Sequence, residues 1–196
     1  MLRILLFLCC SAVIAQTSYD EAAIIAYRDT INREFATQGK SPLEESDRLN
    51  FKGLDFYPPN AEYFVQAKFV ATPKAKAFKM KTTTSRLPLY RKYGELHFTL
   101  QGKNLKLNVY QRVPEPGAPA SNHLFLPFSD QTNGKETYIG GRYLDMEIPE
   151  GKSVAIDFNR AYNPYCAYSY RYSCPIVPLE NDLPVEIRAG VKKFHD

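Results

Sequence analysis

Hydrophobic positions change their period once along this chain, dividing it into a helical start and a β-rich remainder. Ile24, Tyr27, Ile31 and Phe35 recur at three- and four-residue spacing, which places them on one face of a helix. Ser18 and Glu21 predict a capping box at its start, Asp20 and Glu21 suit its positive end, and Gly39 stands where it should stop. A second, short helix is expected from Ser41, with Pro42 in its first position and Glu44 completing another box. The apolar stripe of the first helix is expected to dock on the rest of the core.

From Tyr63 the period becomes two. Residues 63–70 and 77–81 read as strands, and "GELHFTLQGKNLKLNVY" from Gly94 is a hairpin with one buried face. In it Leu96, Phe98 and Leu100 alternate with polar residues, "QGKN" turns, and Leu105, Leu107 and Val109 alternate again. A proline-rich loop follows at residues 113–122. A second hairpin is predicted around Asn133-Gly134, because a two-residue turn with positive φ at both positions favours that pair. It would set Asp130 opposite Thr137 and Phe128 opposite Ile139, with Asp130 on the face of Leu126 and Phe128. If that face is the core, Asp130 is a buried acid that needs a partner. Further strands are expected at residues 143–148, 153–158 and 183–189. The fold class is mostly β: an antiparallel sandwich or partly open barrel with the amino-terminal helix packed on it.

The first residues change the setting. Met1, Leu2 and Arg3 are followed by an apolar run through Ile14, and Val13 and Ala15 suit a signal-peptidase site. The run is shorter than the ~20 residues a membrane span requires. A lipoprotein, with Cys9 or Cys10 modified, is the weaker alternative, because Leu8 and Cys9 stand where small residues are wanted. Residues 1–15 are therefore expected to be a cleaved signal peptide, residues 16–40 to hold the helix, and residues 41–196 to form one β-rich domain. Export to the periplasm or medium follows, with no stable membrane insertion after cleavage.

Charge excludes little but does bear on nucleic acid. The net charge is +4, and loss of Arg3 would leave 24 basic residues against 21 acidic ones, or +3. The densest basic cluster, Lys74, Lys76, Lys79 and Lys81, is interleaved with apolar residues, as on a solvated strand. No nucleic-acid partner is expected. Cys9 and Cys10 fall in the signal segment, leaving Cys166 and Cys174, and a disulfide is expected between them in an oxidising compartment. Closing so short a loop would contribute only ~2–3 kcal/mol.

Familiar catalytic signatures are missing. There is no Gly-x-Ser-x-Gly, no His-Glu-x-x-His and no Gly-x-Gly-x-x-Gly. Gly151-Lys152-Ser153 resembles the end of a phosphate loop, but Met146 occupies the place of its first glycine. His97 alternates away from Leu96 and Phe98, and His195 lies next to the chain end. Cys166, Cys174 and His123 lack both zinc-knuckle spacing and a fourth ligand, so no metal or other cofactor is expected.

The better constellation is Asp130, Tyr138, Arg142, Asp157, Asn159, Tyr162, Asn163 and Tyr168. Tyrosine is dense here: Tyr162, Tyr165, Tyr168, Tyr170 and Tyr172 fall within eleven residues. Such residues can line a pocket with ring faces, hydroxyls and one bidentate anion anchor. They can equally form an internal network, with Arg142 pairing a buried Asp130 or Asp157 and the asparagines holding the "NRAYNP" loop. Strict alternation points Arg142 away from Asp130, and a bulge at Gly140-Gly141 would bring them together.

The strings "PFSDQTNGKETYIGGRYLDMEI" and "IDFNRAYNPYCAYSYRYSCPIVPLENDLPVEIRAG", with "SPLEESDRLNFKGLDFYPPN" before them, resemble a bacterial family of domains of unknown function. Phe-x-Asp-x-Thr, Gly-Arg-Tyr-Leu, Asp-Phe-Asn, Asn-Pro-x-Cys-Ala-Tyr and Cys-Pro carry the resemblance, from about Ser41 to Lys193. It implies no established activity. One departure is Val191, where the resemblance leads one to expect an acid. The function expected from the sequence is an exported, non-catalytic binding module for a small or extended ligand. The alternatives are a hydrolase or other enzyme using Asp130, Arg142 and Asp157, or a structural interaction protein without a pocket.

Overall fold

A computed structural model describes residues 18–119 and 121–195. The proposed signal segment lies outside them. Two helices, α1 (Glu21–Ala36) and α2 (Glu45–Leu49), precede β1 (Phe64–Ala71), β2 (Ala77–Lys79), β3 (Leu89–Leu100), β4 (Lys103–Arg112), β5 (His123–Phe128), β6 (Arg142–Glu147) and β7 (Ser153–Asp157). The strands form one antiparallel sheet in the order β6-β5-β4-β3-β1-β7, with β2 also paired to β3. The sheet curls into a half-barrel against which α1 packs. Of the two expected architectures, the partly open barrel is the one formed.

The predicted hairpin at residues 94–110 is β3 and β4, turned by Gln101 at φ 51° and Gly102 at φ 71°. Leu96, Leu107, Val109, Leu124, Leu126, Phe128 and Ile156 are closed to solvent on the concave face. Each such side chain contributes roughly 1.5–3 kcal/mol through burial. The opposite face of β3, β5 and β6 carries Tyr90, Phe125 and Tyr143, an aromatic layer joined by Met80 and Tyr162. The sheet therefore has two packed faces, one aliphatic and one aromatic.

Helix α1 starts later than the capping box implied. Asp20, not Ser18, is its N-cap and accepts from the Ala23 amide at 3.0 Å. The carboxylate adds charge attraction to the helix start, which a serine cannot supply. Helix α2 likewise begins at Glu45. The Ser41 hydroxyl accepts from the Leu43 amide at 3.2 Å, and Glu44 accepts from the Ser169 hydroxyl and does not close a box.

Two further expectations are corrected. Asn133-Gly134 is not the turn of a hairpin, since β5 and β6 pair as Phe128 with Arg142 and residues 129–141 form their connection. Gly134 has φ 77°, but Asn133 is not in the positive-φ region. Its side chain is occupied, accepting from the Asp130 amide and donating to the Tyr138 carbonyl at 2.6 Å and the Thr137 hydroxyl at 3.1 Å. Ile139, expected opposite Phe128 in the core, is 77% exposed.

The second correction concerns residues 183–189, which are not a strand. Leu183, Val185, Ile187 and Ala189 are buried in alternation and fill the concave face, so the period of two is real. The segment is instead held singly: the Leu183 amide donates to the Ser129 carbonyl at 2.8 Å, and the Gln131 amide to the Val185 carbonyl at 2.9 Å. Side chains make the remaining bonds.

Candidate functional site

Gln101 and Lys103 bond the carbonyls of Glu186 and Pro184, and Arg142 holds the buried end of the segment. From β6 its guanidinium donates to the carbonyls of Ile187 at 2.7 Å and Val191 at 3.3 Å, to the Ala189 carbonyl, and to Asp130 at 2.8 Å. Asp130 also accepts from the Thr132 amide at 2.9 Å, the Thr132 hydroxyl at 2.6 Å and the Ile187 amide at 3.2 Å. Both charged side chains have zero exposure. Gly141, at φ 86°, permits the approach: a Cβ there would lie 2.7 Å from the Phe128 carbonyl oxygen. The pair is an internal network, and the carbonyls take the place of an anionic ligand.

Asn159 is also internal. It bonds the Asn60 backbone in both directions, at 2.9 and 3.0 Å, and reaches Asp157 at 2.9 Å. Asp157 itself caps the turn at Phe158–Arg160, stands 3.6 Å from Arg160 and lines a cleft to which neither Asp130 nor Arg142 contributes. The proposed catalytic cluster is thus not assembled. Val191 is 1% exposed and pairs with Phe56, so its apolar character suits its place.

The remaining candidates line clefts. The seam between the free edges of β6 and β7 opens into a cleft of about 480 Å³, walled by Leu144–Met146, Ala155–Asp157 and the start of α1. At one end the seam is closed by a bridge between Tyr143 and Tyr162, whose backbones exchange bonds at 2.9 and 3.0 Å. Beyond it lies a second cleft, of about 490 Å³, between α1, the aromatic face of β5 and β6, and the loop after Tyr162. Tyr27, Tyr90, Tyr143, Tyr162, Tyr165, Tyr168 and Tyr172 line it, with Asn163, His123 and Asp145. Tyr138 lies elsewhere, in a third cleft beside Cys166, where its hydroxyl is 3.8 Å from the sulfur.

Asp145 and Tyr162 border both the seam cleft and the tyrosine-lined cleft, and their hydrogen bond of 2.7 Å forms part of the wall between them. The other Asp145 oxygen is 2.7 Å from His123 Nε2. Burial raises the phenol pKa values of Tyr143 and Tyr162 far above the usual range, and that of Tyr27 to about 12. These groups are therefore neutral phenols at physiological pH. They supply ring faces and hydroxyls, not charge.

Asp145 was not among the residues the sequence singled out, and His123 was weighed only as a metal ligand. Their signal is the strand register: Phe125 pairs with Asp145, and alternation puts His123 and Tyr143 on the same face. Cys166 and Cys174 are described as thiols, with the Cys166 amide donating to the Cys174 sulfur at 3.1 Å. A hydrogen bond from the Cys174 thiol pulls Cys166 below the usual thiol range and pushes Cys174 above it. Among the described residues, no group of three His, Cys, Asp or Glu side chains could hold a metal.

A family model for proteins of unknown function, DUF1684, matches residues 49–192. The chain belongs to the DUF1684 family. The span agrees with the resemblance read from Ser41 to Lys193. A solved structure is similar over most of the chain: the solution NMR structure of an uncharacterized protein from gene locus rrnAC0354 of Haloarcula marismortui is 33% identical, with a TM-score of 0.69. The similarity covers 88% of this chain and 93% of that one. That relative is archaeal, so the likeness is not confined to bacteria. No curated protein matches this DUF1684 chain.

Proposed function

We propose that this DUF1684 protein is an exported binding module that takes a small ligand in the tyrosine-lined cleft. The observation that carries the reading is the cleft itself: about 490 Å³, walled by aromatic rings, with a few polar groups set among them. The volume suits a small organic molecule. Neutral phenols give orientation through hydrogen bonding without a large desolvation cost. The binding reading is preferred to the enzyme alternative because Asp130 and Arg142 are sealed from solvent and bonded to each other, while Asp157 stands apart on the other cleft. Export rests on the charged start and apolar run before Ala15.

Native mass spectrometry of protein purified without denaturation tests the binding reading. A small molecule retained by the wild type and lost when Tyr162 is replaced by Leu supports it. Retention by the variant would place the molecule elsewhere and overturn the assignment. Intact mass of the exported chain tests the setting: loss of residues 1–15 is expected, and their retention would contradict it.

A further inference from the structure

We infer that the tyrosine-lined cleft takes an organic ammonium ion carried on an apolar body; the inference rests on the reading of that cleft as a ligand site. Charge is the first reason. The lining includes the carboxylates of Glu34 and Asp145 and no lysine or arginine. Arg86 reaches the rim at Ser173, but its guanidinium is bonded to the Ser173 hydroxyl at 3.2 Å and carbonyl at 2.6 Å and does not line the cleft. An anionic ligand would meet two carboxylates with no lysine or arginine facing it, and the one histidine of the lining, His123, is already bonded to Asp145.

Ring geometry is the second reason. Tyr143 stands 4.7 Å from Phe125 at 77° and 5.9 Å from Tyr162 at 90°, centroid to centroid, and all three line the cleft. These edge-to-face contacts hold the rings rigidly, so the faces they leave toward the cleft are fixed in place and can attract a cation. Tyr162 donates its phenol proton to Asp145, which leaves its ring richer in electron density and its face more attractive to positive charge.

The third reason is an orphan acceptor. Asn163 lines the same cleft, is 1% exposed, and donates Nδ2 to the Lys192 carbonyl at 2.9 Å. Its Oδ1 is buried with no hydrogen-bond partner. A buried acceptor without a donor is costly, and a bound ammonium whose N–H reaches it through a shift of the lining would satisfy it. Asp145, with lone pairs beyond those used by Tyr162 and His123, offers a second acceptor and the countercharge.

Three probes on one phenylethyl body separate the possibilities: phenethylammonium, the neutral propylbenzene and the anionic hydrocinnamate, titrated by protein-observed NMR. Phenethylammonium is expected to bind about tenfold or more tightly than propylbenzene, the advantage of one desolvated cation–π and ion contact. Hydrocinnamate should be weakest. Asp145→Asn should erase most of the ammonium's advantage while leaving propylbenzene unchanged, and Glu34→Gln, on an exposed helix position, should reduce it less. Should propylbenzene or hydrocinnamate match phenethylammonium at the cleft, the ligand class is wrong and the cleft remains a site. If none of the three moves a cleft resonance, both readings fall.

Discussion

Arg142 and Asp130 meet at 2.8 Å inside the half-barrel with both side chains closed to solvent, and together they replace a strand ladder. Arg142 donates to alternate carbonyls of the carboxy-terminal segment, Ile187, Ala189 and Val191, while Asp130 accepts from the Ile187 amide. Alternate carbonyls are what a neighbouring strand would bond. Two side chains thus anchor a segment whose apolar residues complete the core.

Removal of Arg142 is therefore a stability lesion. Arg142→Ala leaves Asp130 stranded and the carbonyls without a donor, and should cost ~3–5 kcal/mol. Adding Asp130→Leu should not restore wild-type stability, because the carbonyls remain unserved. Chemical denaturation of the two variants measures this. Full recovery in the double variant would show that the ion pair alone matters, and an unchanged midpoint in Arg142→Ala would remove the surrogate ladder.

The cysteine pair should close under oxidation. Its partial thiolate character at Cys166, caused by the Cys174 hydrogen bond, makes Cys166 the attacking sulfur. In reduced protein, limited alkylation should label Cys166 before Cys174, and exported protein should yield a bonded peptide pair on non-reducing mapping. Recovery of both thiols free from exported protein would contradict the disulfide.

Acid should weaken the fold partly through Glu95. Its carboxylate contacts Lys92 at 3.0 Å, His97 at 3.1 Å and Lys106 at 3.5 Å, and the Lys92 hydrogen bond leads in holding its pKa at about 2. A depressed carboxyl pKa contributes stability that is present above the unfolded value, about 4.5, and is lost as pH falls toward about 2. Urea midpoints measured down this window should fall less steeply for Glu95→Gln than for wild type. Parallel curves would show that Glu95 contributes nothing to acid sensitivity.

Periodic segments were the legible part of this fold. The α1 stripe and the hairpin of β3 and β4 follow from spacing, since each buries a face through nearest-neighbour contacts. Asn133-Gly134 misled because local propensity could not show that the Asn133 side chain would bond the Asp130 amide and Tyr138 carbonyl. Residues 183–189 misled in the opposite way: their alternation reports burial, while their bonding partners are side chains distant in sequence. Tyr162, Asn163 and Tyr168 were placed in a cleft by density of tyrosine alone. The pairing of His123 with Asp145 escaped notice because only the register of β5 against β6 brings them together.

The central claim is that the polar cluster is structural and the tyrosine cleft is the site. Chemical-shift mapping with a library of small fragments tests it most directly. The account predicts that perturbed resonances converge on Tyr143, Tyr162, Asn163 and Tyr165, with Arg142 and Asp130 unmoved. Perturbations centred on Arg142 and Asp130, with the cleft silent, would contradict it.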